Sequence, residues 1–166
     1  MKFNHDYLKY KPIFTPDEVK HLDNLNNQFT LKEFFNNPSI VNKYGFDFIF
    51  ASAKIEGNTY TKEEALTLLT YGITAAGKQF YDAQMLINLK KAYDYITTEK
   101  NIQINKLTIR QIHTILAHGL LDNTQIGIAR NQQILITGTD YTPLTDKNSL
   151  EAELNQILNT YNTIQN

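Results

Sequence analysis

The 166-residue sequence predicts a mainly α-helical single domain with one β-hairpin. Three features support this: apolar residues recur every three or four positions along most of the chain, helix-capping patterns repeat, and the periodicity switches to extended runs only once. Hydrophobic residues make up 42% and charged residues 20%, ordinary globular usage, and a chain of this length buries enough surface for a self-supporting core.

The first helix is expected from about Pro16, with Thr15 as N-cap, Pro16 at the first helical position and Glu18 completing a capping box. Val19, Leu22, Asn26 and Phe29 follow at helical spacing. A short helical piece comes next, then a break at Pro38 and a helix with Phe46, Ile49, Phe50 and Ala53 on one face. Gly57 and Asn58 suit a left-handed cap at its end. Thr61 and Glu64 repeat the capping box ahead of Ala65, Leu68 and Leu69. Tyr81, Met85, Leu89, Ala92, Tyr93 and Ile96 mark a helix of about five turns. Leu107, Gln111, Ile112, Ile115 and Leu116 mark another, ending near Gly119.

The switch comes at "NQQILITGTDYTPL", where the runs "QILIT" and "YTPL" flank "GTD" and predict the hairpin. A last helix carries Leu150, Leu154, Ile157, Leu158 and Tyr161. No linker, repeat or charge run divides the chain. Residues 1–166 are therefore read as one domain, with an N-terminal region to about 58 and a helical scaffold with the hairpin from about 59.

With 16 basic and 17 acidic residues, the net charge of −1 offers no global attraction to nucleic acid or to an acidic membrane. There is no cysteine, which excludes thiolate chemistry and disulfides and fits a reducing compartment, so a cytoplasmic location is expected. The apolar stretches are too short to span a bilayer, and the N-terminus lacks a signal-peptide pattern. His5, His21, His113 and His118 lack the i, i+4 spacing with a glutamate of a helical zinc site. A serine-nucleophile elbow and a phosphate-binding glycine loop are also absent.

In "ASAKIEGNTY", Ser52 and Glu56 stand one helical turn apart at a helix end. A carboxylate there meets the negative end of the helix dipole, which favours a cation. The spacing fits equally the solvation of a helix end and a carboxylate awaiting a basic partner.

Taken together, "SAKIEGN", the Asn88-containing helix, "IHTIL", Gly127-Ile128-Ala129-Arg130 and "ILITGTDYTPL" resemble the Fic family, whose enzymes move AMP from ATP to hydroxyl groups of target proteins. The resemblance covers most of the chain and points to the subgroup with an N-terminal inhibitory helix. It implies that Ser52, Glu56 and Gly57 form the inhibitory motif. Glu56 would engage the arginine that otherwise holds the γ-phosphate of ATP, and Ser52 would brace Glu56. It implies further that Ile134, Leu135, Ile136, Thr137, Gly138, Thr139, Asp140, Tyr141 and Thr142 form the flap that aligns the target's hydroxyl. ATP and Mg²⁺ would serve the complete enzyme; self-association into a homo-oligomer is compatible with the resemblance, and the target protein is unknown.

The family's defining segment, His-x-Phe-x-Asp/Glu-Gly-Asn-Gly/Lys-Arg, is missing from these residues, and "NTYNTIQN" supplies no histidine, carboxylate or base in its place. The expectation is therefore no catalytic or metal-binding residue here and no AMP transfer by this chain. Either the sequence is cut before the catalytic segment or the protein has lost it. The competing expectation is a catalytically empty helical module that holds a protein partner at its hairpin edge.

Overall fold

The computed structural model describes residues 12–28, 36–99 and 102–165, and these are mainly helical. Six helices occur among them: α1 (Pro16–Gln28), α2 (Pro38–Ile55), α3 (Lys62–Tyr71), α4 (Phe80–Thr98), α5 (Lys106–Ala117) and α6 (Lys147–Gln165). The expected helical piece before Pro38, and Phe29 with it, lies outside the described residues. The chain forms two compact units, whose described parts are 12–28, 36–99, 102 and 115–120, and 103–114 with 121–165.

In the first unit the capping signals act as read. Thr15 and Glu18 cap α1 reciprocally: the Thr15 N–H donates to Glu18 Oε2 at 2.8 Å, and the Glu18 N–H donates to Thr15 Oγ1 at 3.4 Å. The Asn37 side chain accepts the Ile40 N–H and starts α2, with Pro38 just inside the helix. Thr61 and Glu64 close a second capping box on α3. The Thr61 N–H on Glu64 holds that carboxyl below its usual range.

The core lies where α2, α3 and α4 meet. Ile49, Ala53, Tyr60, Ala65, Leu68, Ala83, Met85 and Leu86 are buried there, with Phe46, Phe50, Leu69 and Tyr93 packed against them. Phe46, Ile49, Phe50 and Ala53 thus form the predicted face of α2. Gly45 explains how close α2 and α4 come: a Cβ at this position would stand 2.5 Å from the Tyr93 ring. Tyr93 also donates its hydroxyl to the Val41 carbonyl at 3.1 Å, and burial pushes its phenol pKa up.

The buried side of α4 is turned from the expected one. Met85 and Ala92 are buried as read, but Tyr81 and Ile96 are about half exposed, while Asp82, Ala83, Leu86 and Asn88 are buried. The reason is polar: Asp82 and Asn88 take up buried hydrogen bonds, so the inward stripe includes them and passes Tyr81 by. Asn88 accepts from Gln84 Nε2 and donates to the carbonyls of Leu116 and His118, at 2.9 and 2.7 Å. Those carbonyls lie at the end of α5, where the helix leaves acceptors without intrahelical donors. α1 buries none of its residues, so the Val19 and Leu22 stripe is not a core face within the described structure.

In the second unit, α5 begins after Asn105, whose Oδ1 accepts the Thr108 N–H at 3.0 Å. Leu107, expected on its packed side, is exposed, whereas Thr108 is buried. Arg110 on α5 donates to Glu151 on α6 at 2.6 Å, and Lys106 pairs with the same carboxylate. Lys106, then Arg110, hold the Glu151 carboxyl below its ordinary value. On α6, Leu158 is buried and Leu150 and Leu154 are half-buried, while Ile157 and Tyr161 are exposed.

The predicted β-hairpin is not formed. Residues 133–136 and 139–141 form no strand or ladder, a turn stands at 137–138, and among the described residues Thr142 alone is a bridge residue. Local bonds occupy the groups that a ladder needs. The Tyr141 N–H donates to Thr139 Oγ1 at 3.1 Å, Pro143 has no N–H, and the Leu144 carbonyl accepts from Arg130 Nη2 at 2.6 Å.

Candidate functional site

The last turn of α2 is built from bonds that the local sequence specifies. Gly57 stands at φ 84°, in the left-handed region that glycine enters at no steric cost. This sharp turn brings the Gly57 N–H to the Lys54 carbonyl at 3.1 Å and the Asn58 N–H to the Ala53 carbonyl at 3.0 Å. The pair of bonds is a Schellman motif, which satisfies two of the orphan carbonyls at the helix end. Lys54 Nζ adds a bond to the Asn58 carbonyl at 2.7 Å.

Asn58 then ties this end into the core. It is 2% exposed. Its Nδ2 donates to the Asp82 carbonyl at 2.8 Å, and its Oδ1 accepts the Tyr60 N–H at 3.0 Å. Beside it, the Thr59 hydroxyl donates to Asp82 Oδ2 at 2.5 Å, placing a carboxylate at the favourable N-terminal turn of α4. The sequence pattern suggested Asn58 only as a cap. Its role as a buried link between α2 and α4 depends on Asp82, 24 residues further along, and no local pattern announces that contact.

Glu56, the residue proposed from spacing, is the C-cap of α2 and is exposed. Among the described residues no side-chain hydrogen bond or ion pair reaches its carboxylate. Lys54, the basic residue of the same turn, is committed to the Asn58 carbonyl. Ser52 is half-buried one turn earlier, and its carbonyl accepts the Glu56 N–H at 3.3 Å. The contact between the two is thus a backbone one, and no Ser52 hydroxyl bond to Glu56 is formed. Ser52, Glu56 and Gly57 are brought together on a turn whose backbone is pinned and whose carboxylate faces water at the negative end of a helix dipole.

The residues from Ile134 to Thr142 belong to the other unit. Ile134, Leu135 and Ile136 are exposed, Leu135 at 82%, and Gly138 makes its turn at φ 80°. Thr137, Thr139 and Asp140 are exposed, Tyr141 is half-buried, and Pro143 just beyond is buried and anchors the segment's end. The segment therefore displays three consecutive apolar side chains outside any regular element.

Among the described residues no group of three or more His, Asp or Glu side chains is arranged to hold a metal ion. No described helix is long and apolar enough to cross a membrane. No protein-family model matches the chain, and no curated protein matches it. The functional reading therefore rests on the residues and their geometry.

Proposed function

We propose that this chain carries the inhibitory helix, scaffold and target-docking segment of a Fic-type protein adenylyltransferase, with Glu56 as the inhibitory carboxylate. One observation carries the reading: Glu56 is an exposed carboxylate with no described cationic partner, held on a helix end that the Schellman turn and buried Asn58 keep in place. A gate needs a charge that is presented, oriented and unspent, and this turn provides one. The partner it suits is a guanidinium, which binds a carboxylate with two parallel hydrogen bonds. In the family that guanidinium comes from the catalytic segment and otherwise holds the γ-phosphate of ATP.

In this reading α2 is the inhibitory helix and residues Ile134 to Thr142 are the flap. Asn58 sets the angle at which Glu56 is presented, a positioning role. ATP with Mg²⁺ is the donor, the acceptor is a hydroxyl on a target protein, and the setting is cytoplasmic.

The test is AMP incorporation from labelled ATP by the full-length protein. A charge-assisted hydrogen bond contributes about 1.5–3 kcal/mol, so Glu56→Gly should raise incorporation about 10- to 100-fold. Equal incorporation by the two proteins overturns the gate. The reading then favoured is a binding module that uses the exposed Ile134, Leu135 and Ile136 to hold a partner by strand addition.

A further inference from the structure

In the unit formed by 103–114 and 121–165, Ile109, Arg110, His113, Ile128, Arg130 and Leu154 line an open cleft of about 760 Å³. That volume falls in the range of small-molecule sites, which combine an apolar wall with a few placed polar groups. Three observations say what kind of molecule suits it.

The first is charge. The cleft is lined by the guanidiniums of Arg110 and Arg130 and by the carboxylate of Glu151. Glu151 is already engaged by Arg110 and by Lys106. Arg130 makes no ion pair with a described carboxylate, so the wall of the cleft carries uncompensated positive charge. The second is hydrogen bonding. The one described bond of Arg130 runs from Nη2 to the Leu144 carbonyl at 2.6 Å, while its Nε is buried without a partner. A buried donor left unmade is costly, and an anionic acceptor would remove that cost. The third is the ring of His113. Its Nδ1 accepts the Gly127 N–H at 3.0 Å, so the neutral imidazole carries its proton on Nε2 and offers a second donor.

We propose that this cleft binds an amphipathic organic monocarboxylate. Its carboxylate pairs with Arg130, assisted by His113, and its short apolar body lies against Ile109, Ile128 and Leu154. The apolar wall gives an organic carboxylate a second contact that inorganic phosphate lacks. A planar carboxylate also matches the geometry of a guanidinium. This site is independent of the gate at Glu56.

The test is a ¹H–¹⁵N titration of the 166-residue chain with hexanoate, with hexan-1-ol and inorganic phosphate at matched ionic strength as controls. The expected result is a saturable shift of the Arg130 Nε–H signal and of the Gly127 amide with hexanoate. Since a hydrogen bond to a charged group is worth roughly tenfold or more in affinity, hexanol should bind at least about tenfold more weakly. Phosphate should leave both signals in place. Arg130→Gln should weaken hexanoate binding by a similar factor while the circular dichroism spectrum is retained. If that variant unfolds, the wild-type Nε–H signal decides alone. Equal response to hexanol, equal response to phosphate, or no saturable shift with hexanoate overturns the proposal.

Discussion

The end of α2 and the segment 131–144 carry the same punctuation and reach different outcomes. Each turns on a glycine in the left-handed region, Gly57 at φ 84° and Gly138 at φ 80°, and neither has an atom within 4 Å of where a Cβ would stand. At Gly57 the turn closes two helix-end bonds and hands the chain to Asn58, which is buried. At Gly138 the flanking residues are exposed and the backbone groups beyond it are taken by Thr139 and Arg130. A turn signal is thus only as strong as the buried bonds on either side of it. A Schellman turn is completed by residues within one helical turn, whereas a hairpin needs two strands to find a register and keep their donors free.

Substitutions can break this contrast, beginning with the one expected to matter most. Asn58→Ala leaves the Asp82 carbonyl and the Tyr60 N–H without their buried partner, at about 1–3 kcal/mol each, so a total loss of about 2–6 kcal/mol is expected in urea denaturation. A loss within ±0.5 kcal/mol would remove Asn58 as the anchor of the turn. Gly57→Ala comes next, because an L-residue in the left-handed region costs about 1–2 kcal/mol and the surrounding bonds prevent relaxation.

Acid titration probes the unit that contains the weaker turn. The folded-state pKa of Glu151 is lowered by Lys106 and Arg110, so its contribution is present above the ordinary glutamate value and is lost as pH falls through the depressed one. Thermal melts of the chain and of Glu151→Gln should therefore converge on acidification below the ordinary glutamate range. A difference that stays constant with pH would show that the ion pairs do not carry it. Gly138→Ala closes the series. At an exposed turn outside any ladder the chain adjusts locally, and a change below about 0.5 kcal/mol is expected, against the larger loss at Gly57. Equal losses at the two glycines would erase the distinction between them.

Much of the helical architecture was legible from local patterns. The capping boxes at Thr15 and Thr61 and the Gly57 turn all close within three to five residues, where side-chain chemistry and backbone geometry leave few choices. Glu56 at an exposed helix end was legible for the same reason. The α4 face was misread at Tyr81 and Ile96 because apolar periodicity gives no weight to polar residues that turn inward, as Asp82 and Asn88 do. The hairpin was misread because alternation says nothing about whether Thr139 and Arg130 will take the backbone groups first.

By itself, then, the sequence determined where helices start and stop, which face of α2 is buried and where a carboxylate is set at a helix end. Only the tertiary structure decided what lies beneath that end. Asn58 acquires its role from Asp82, and the Arg110–Glu151 pair joins residues 41 apart. The physical reason is range. Caps and turns are satisfied by neighbours along the chain, while a buried polar group must find its partner wherever packing places one.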